Sequence, residues 1–446
     1  MSEAAKAINS SYLGDDIEFY GCSTDTRTLQ KGNLFIALRG ENFDGHNFIE
    51  QAEAKGASSL LIDKESKYEL PALTSDNTKK AMGLLAKSWR SKLPVRTVAV
   101  TGSNGKTSVK EIVKSILSEA GNVHATTGNL NNDIGVPITL FALAKEHEYA
   151  VIEMGANHAG EIDWLSHIAI PDVAVITQCA PAHLEGFGSI EGVARAKAEI
   201  YGGLHQDGTA VINADDKYAD FWKEISSNRK QLLFSFENKN ADVYASDVNN
   251  RPEKNSIEFV LHIKNESITI SMPMPGKHNV MNALSAAACC HCLNISIEMI
   301  KQGIEKMQSV SGRLQFLTGK AGSRIIDDTY NANPTSLLAA INVLNELPGK
   351  KILVLGDMGE LGDTSIELHA EAGENAKLSG IDNLFTLGDL SAHASQAFAD
   401  GAEHFTDISN LNNHLLSKLN PETTILIKGS RSMRMERVIN AVREDT

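Results

Sequence analysis

The chain has 446 residues, a formal net charge of −14, and 42% hydrophobic and 22% charged residues. That length suits two or three domains and that composition an ordinary globular protein with sizeable cores. The acidic balance and the lack of a Lys/Arg block argue against general nucleic-acid binding, so an anionic ligand must be met by locally placed cations. The opening residues, MSEAAKAINSSYLGDDIEF, hold no apolar signal core, and no run approaches the ~18 apolar residues of a membrane span. A soluble, cytoplasmic, monomeric protein without a nucleic-acid partner or membrane span is the expectation.

Residues 1–93 are mixed and end near the turn at Pro94. From there, short apolar strands alternate with helical patterns. RTVAV (96–100), YAVIEMG (149–155), DVAVITQ (172–178) and GTAVIN (208–213) come first, and KILVLGDM (351–358), LFTLGD (384–389) and TILIKGS (424–430) follow. Helical stretches are predicted at 279–293, 335–346 and 432–443, and a strand pair across 243–272. Apolar strands alternating with helices predict an α/β protein with parallel sheets covered on both faces. The predicted domains are 1–93, 94–311 and 312–446, the last opening at GRLQ. Cys289, Cys290 and Cys292 around His291 resemble a zinc site in composition. On an Ala-rich helix, however, adjacent residues point about 100° apart, which favours buried packing over convergence on one ion.

The sharpest local signal is TGSNGKTS at 101–108. A strand, a turn through Gly102, Ser103, Asn104 and Gly105, and a helix opening with Lys106, Thr107 and Ser108 is the order a phosphate cradle needs. Backbone N–H groups and the helix N-terminus would face phosphates, Lys106 would neutralise them, and the Thr107 hydroxyl would hold Mg²⁺. The strict GxxxxGK[ST] pattern places its first glycine where this chain has Val100, so the loop is a compact variant. The plainer alternative is a Gly-rich turn with a solvated lysine. Glu153 closes the next strand, and His183 follows the strand after it. Ligands gather beyond the carboxyl ends of parallel strands, so both could share the cradle's edge and complete a metal site. Lys197, in GVARAKAEIYG, reads from its neighbours as an exposed helix lysine.

Taken together, TGSNGKTS, IEMGANHAGEI, TQCAPAHLEGFGS, RAKAEI, PGKHNVMNALSAAA, SGRLQ, IDDTYNANPTS, LGDMGELG and IKGSRSMRMERV stand in an order that resembles the Mur ligases of peptidoglycan synthesis across essentially the whole chain. TDTRTLQKGNLFIALRGENFDGHNFIEQA resembles that family's nucleotide-sugar domain. The resemblance implies an N-terminal UDP-sugar domain, a central P-loop ATPase domain with a parallel sheet, and a Rossmann-like C-terminal ligase domain. IDDTYNANPTS and LGDMGELG resemble the member that uses ATP to join D-alanyl-D-alanine to UDP-N-acetylmuramoyl-tripeptide. The DNP-type segment of the single-amino-acid-adding members is absent.

By the same resemblance, Thr107 and Glu153 hold Mg²⁺, His183 belongs to a second metal site, and Lys197 carries a CO₂-derived carbamate supporting that metal. Asn279 and Asn282 would read adenine, unless Asn279 only caps its helix. Arg313 and Asp328 would contact phosphate and ribose, although the Asp327–Asp328 pair could instead make a strand-end turn. Asp25, Arg27, Asp44, Gly45 and His46 resemble uridine-nucleotide contacts, with Asn131 and Asn132 nearer the peptide. Asn331, Asn333, Lys428, Ser430 and Arg431 would face the dipeptide or an acyl phosphate. The competing readings are a neighbouring amide ligase, adding one amino acid or adding glutamate to folate, and a P-loop switch that needs no amine acceptor.

Overall fold

Residues along the middle strands alternate between two cores. The computed structural model describes residues 1–40, 43–63, 68–181, 184–251 and 254–444. Val98, Val100, Val151, Val173, Val175 and Val211 belong to one core, and Ala99, Ala150, Ile152, Ala174, Ile176, Ala210 and Ile212 to the other. A strand covered on both faces has no solvent side, which is why these runs read as continuous apolar stretches.

These strands form a nine-stranded sheet. Val123–Ala125, Tyr149–Glu153, Arg96–Thr101, Val173–Ile176, Thr209–Asn213, Lys230–Ser235 and Val243–Arg251 lie side by side in parallel. Where a strand pair was expected over 243–272 there are three antiparallel strands, Val243–Arg251, Ser256–Ile263 and Glu266–Met272. Along Ser256–Ile263 burial alternates residue by residue, so this extension packs one face only. Arg96–Thr101 lies between Tyr149–Glu153 and Val173–Ile176, and the chain reverses its direction of travel across the sheet there. Such a switch point opens a crevice beyond the strand ends.

Helix Lys106–Leu117 packs on helices Lys277–Cys292 and Ile297–Glu305. Cys289 and Cys290 sit wholly inside that core, as the helix-packing reading expects. The N-terminal five-stranded sheet orders Tyr12–Leu13, Ala72–Thr74, Ser59–Ile62, Leu34–Ile36 and Cys22–Ser23, parallel except for its first pair. The C-terminal six-stranded sheet orders Gln315–Thr318, Arg324–Asp328, Thr423–Lys428, Lys350–Gly356, Asn383–Leu387 and Ala402–Phe405, again parallel but for the first pair. Its strands alternate too, with Leu353 and Leu355 in one core and Ile352 and Val354 in the other. Among the described residues, no helix is long and apolar enough to cross a membrane.

Candidate active site

Beyond the Arg96–Thr101 strand the chain turns through Gly102–Gly105 into helix Lys106–Leu117. Gly105 caps that helix at φ +81°, and a Cβ there would lie 2.5 Å from Asn282 Oδ1. A Cβ on Gly102 would lie 1.9 Å from Thr177 Oγ1. Both glycines are therefore required by neighbours as well as by backbone conformation. Thr177 Oγ1 donates to Asn104 O and pins the loop over the sheet. Lys106 curls over it, its Nζ donating to Gly102 O at 2.8 Å. Burial lowers the Lys106 pKa and nearby Arg313 lowers it further, while Glu153 and Glu360 oppose this.

Glu153 is 2% exposed at the end of its strand. One carboxylate oxygen accepts from Thr107 Oγ1 and the other from Asn131 Nδ2, both at 2.9 Å. Its backbone N–H donates to Thr126 Oγ1 at 2.9 Å. A hydroxyl and a carboxylate side by side at a phosphate loop suit Mg²⁺, which takes one or two protein oxygens and completes its octahedron with phosphate oxygens and water. Among the described residues no group of three or more His, Cys, Asp or Glu forms an all-protein cage.

Lys197 departs from the exposed-lysine reading of its neighbours. It is 2% exposed, on helix Ile190–Ala198 amid small alanines that let the helix pack closely. Burial and, secondarily, Lys106 take its pKa from 10.5 down to about 7, with Cys179 opposing. Its Nζ lies 6.0 Å from the Phe187 ring centroid, and the side chain lines the same cleft as the phosphate loop.

The opposite wall comes from the C-terminal segment. Arg313 Nη2 donates to Thr107 Oγ1 at 2.9 Å, and Asn333 Nδ2 donates to Asn104 Oδ1 at 2.7 Å. Asn333 also caps helix Pro334–Asn345, exchanging hydrogen bonds with Ser336 in a capping box. Lys428, 2% exposed, pairs with Asp328 and donates to Asn331 O at 3.0 Å. The cleft measures about 770 Å³ and is open on one side. Its lining brings Lys106, Lys197, Lys277, Arg313 and Lys428 together with the carboxylates Glu153, Glu161, Asp215, Glu237, Asp328 and Glu360, so cations are placed locally and not as a basic surface.

Of the sequence-predicted residues, Ser103, Asn104, Gly105, Lys106, Ser108, Asn131, Asn132, Glu153, Lys197, Asn279, Asn282, Arg313, Asp328, Asn331, Asn333 and Lys428 line this cleft. Gly102 and Thr107 join it through the loop contacts above. Asn279 does not cap its helix: Gly276 holds that position, and Asn279 Nδ2 donates to Pro275 O at 2.8 Å. Asp327 makes the strand-end turn, accepting from Gly312 and Thr329, which leaves Asp328 to the cleft. Ser430 is buried just past Lys428, and Arg431 is exposed, paired with Glu436 at 3.3 Å. His183 lies outside the described residues.

Asp25, Arg27, Asp44, Gly45 and His46 are not part of the cleft. Arg27 holds Asp25 at 2.6 Å and its hydrogen bonds bring the Asp25 pKa down to about 2. Asp44 accepts from the His46 backbone and ring and pairs with Arg39 at 3.0 Å. Asp25 and Arg27 adjoin a separate recess of about 100 Å³ whose lining includes Ser23, Thr24, Thr28, Met82 and Phe141.

Three cleft residues inside recognised motifs escaped the sequence reading. Thr177 ties down the loop. His278 has a buried Nε2 without a hydrogen-bond partner, and burial takes its pKa to about 4. Tyr330 stacks on Arg313. His278 and Tyr330 adjoin Asn279 and Asn331 in sequence, and that adjacency was the available signal; Thr177 meets the loop only through the fold.

Three family descriptions match the chain: "Mur ligase family, catalytic domain" over residues 18–102, "Mur ligase middle domain" over 100–290, and "Mur ligase, glutamate ligase domain" over 312–431. The UDP-N-acetylmuramoyl-tripeptide–D-alanyl-D-alanine ligase of Escherichia coli (strain K12) is 43% identical, over 100% of this chain and 98% of its own. The chain belongs to the Mur ligase family. This Mur ligase is also similar in structure to MurF from Acinetobacter baumannii, with a TM-score of 0.92 at 36% identity over 98% and 97% of the two chains. The Thermotoga maritima MurF ligase in complex with ADP follows, with a TM-score of 0.87 at 28% identity over 96% and 98%. The three-part α/β architecture expected from the sequence is thus the Mur ligase fold, with its mostly parallel sheets.

Proposed function

We propose that this Mur ligase is a cytoplasmic, ATP-dependent amide ligase that joins D-alanyl-D-alanine to UDP-N-acetylmuramoyl-tripeptide in peptidoglycan precursor synthesis. Relatives that bear that name support the reading, as does the ADP-bound T. maritima structure. One structural observation carries it. The phosphate loop and its Thr107–Glu153 pair are met across a single cleft by Arg313, Asn333 and Lys428 of another segment. A nucleotide, a carboxylate and an amine can therefore meet in one cleft.

The tripeptide carboxylate is a poor electrophile. Its attack on the γ-phosphorus releases ADP and leaves an acyl phosphate. The dipeptide amine then adds to the acyl carbon, loses a proton, and the tetrahedral intermediate expels phosphate. The difficulty is bringing a carboxylate to a polyanion, which Lys106 and Arg313 offset with fixed charge. Thr107 and Glu153 would hold Mg²⁺, which when bound neutralises phosphate oxygens.

Lys197 fits a carbamate, because a buried amine with a pKa of about 7 is substantially neutral at neutral pH and free to add CO₂. The adduct would place a carboxylate in the cleft, with His183 completing a second metal site. In this reading Asn279, Asn282 and Asp328 hold the nucleoside, and Asn331, Asn333, Lys428, Ser430 and Arg431 face the dipeptide and acyl phosphate. Asn131 and Asn132 face the peptide, while Asp25, Arg27, Asp44, Gly45 and His46 serve the sugar nucleotide. Segments 1–93, 94–311 and 312–446 act as the sugar-nucleotide, ATP and ligase domains of a monomer.

Mass spectrometry of a reaction containing UDP-N-acetylmuramoyl-tripeptide, ATP, Mg²⁺ and D-alanyl-D-alanine tests the proposal. The expected product gains one dipeptide less one water, and phosphate release requires the dipeptide. Phosphate release indifferent to any amine would overturn it in favour of a P-loop switch.

A further inference from the structure

The DDTYNANP motif brings one aromatic ring into the cleft wall. Tyr330 follows the strand Arg324–Asp328, and the Arg313 guanidinium carbon lies 4.1 Å from its ring centroid. Tyr330 belongs to none of the hydrophobic cores and is only half-buried, so its ring is not there to fill an interior. The short segments that carry the two residues are fastened together. Tyr330 N donates to Gly312 O at 3.1 Å, and Leu314 N to Asp328 Oδ1 at 3.2 Å. From this mount Arg313 reaches across the cleft to Thr107 Oγ1 at 2.9 Å.

An aromatic face under a guanidinium fixes the plane of the cation and leaves its N–H edge free to donate. Thr107 Oγ1 is also hydrogen-bonded to Glu153, at the opening of the phosphate-loop helix. In the ligase reading that hydroxyl turns to the metal, so Arg313 must exchange it for phosphate oxygens without swinging away. Stacking permits that exchange, because it does not depend on the partner at the N–H edge.

We infer that Tyr330 is a positioning residue that holds the Arg313 guanidinium over the phosphate loop, aimed at the transferring phosphoryl group. It touches no reacting atom and acts only through Arg313.

The inference rests on the ATP-dependent ligase reading, and a double-mutant cycle between Tyr330 and Arg313 tests it. Tyr330→Leu is expected to lower kcat roughly 2- to 30-fold, with a smaller change in KM for ATP, matching the strength of a cation–π contact. Tyr330→Phe and Tyr330→Trp keep the ring and should retain most of the wild-type kcat. Arg313→Ala should lose more, and adding Tyr330→Leu to it should cost nothing further. The same cycle is read without turnover as the affinity for AMP-PNP relative to ADP, which isolates the γ-phosphate. A wild type that makes no dipeptide product sinks the ligase reading, and the inference then stands or falls on the binding cycle. Wild-type kcat in Tyr330→Leu, loss in Tyr330→Phe as large as in Tyr330→Leu, a pure rise in KM for ATP, or additive losses would each overturn it. Circular dichroism checks folding, and Tyr330→Met replaces the leucine variant if that one does not fold.

Discussion

Lys197→Met keeps a side chain that is 2% exposed out to its ε-carbon and removes its amine. With the lysine in place, the unfolded chain binds a proton up to pH 10.5 while the folded chain releases it above about 7. Within that window the unfolded state holds more protons, so stability rises with pH. Read downward, stability is lost as pH falls from 10.5 to about 7, with no further change below. At pH 7 the folded amine is about half protonated, so the cost falls somewhat short of the full gap from 10.5 to about 7 at about 1.4 kcal/mol per pH unit and is on the order of 4 kcal/mol against folding. Methionine carries no such cost. The variant should therefore be about 2–4 kcal/mol more stable at pH 7, part of the gap being absorbed by local relaxation, and the advantage should shrink as pH approaches 10. It should also lose turnover, the pattern expected where a destabilising group is retained for function. Urea unfolding in CO₂-depleted buffer at pH 7 and 9.5 measures the effect. Tryptophan fluorescence reports it, since Trp222 Nε1 donates to Ala194 O in the Lys197 helix at 3.2 Å. A variant no more stable than wild type at pH 7, or an advantage independent of pH, refutes the buried-amine reasoning. For the carbamate, stripping CO₂ from wild type at mildly acidic pH should lower activity and bicarbonate restore it, with no such response in Lys197→Met.

Lys106→Ala should abolish ligation with little change in thermal unfolding, and Lys106→Arg should not restore it, since a planar fork differs from a compact ammonium. Glu153→Gln keeps the side chain's size and one of its two acceptor oxygens but removes the charge, so Mg²⁺ titration of activity should show a requirement raised roughly 10-fold or more. Lys428→Met strands the buried Asp328 carboxylate and should cost about 3–5 kcal/mol in denaturant unfolding. Adding Asp328→Asn should recover most of that loss; a double variant as unstable as the single would show that lysine packing, rather than charge, dominates.

The phosphate loop was legible because its chemistry is local: glycines, lysine and threonine lie consecutively between a strand and a helix, and short-range geometry decides the rest. Glu153 was legible for a related reason, standing at the end of a strand adjacent to the loop's own. Lys197 was not. Its sequence neighbours describe a helix but not what covers that helix, and only the packing around it makes the lysine buried. The Asn333–Asn104 and Arg313–Thr107 bonds join residues more than two hundred positions apart, which no local pattern reports. The third strand of the 243–272 meander was missed because its exposed face carries polar residues, so ESITISM lacks the apolar run that marked the buried strands.

The two hydrogen bonds that join the phosphate loop to the C-terminal segment both end on groups a nucleotide would claim. At a net value of about 0.5–1.5 kcal/mol each, they bias the ligand-free chain toward the joined arrangement by only about 1–3 kcal/mol. Nucleotide entry becomes a trade of partners rather than a push on a hinge, and a ligand that satisfies Thr107 without replacing its bridge to Arg313 would release the two segments from each other.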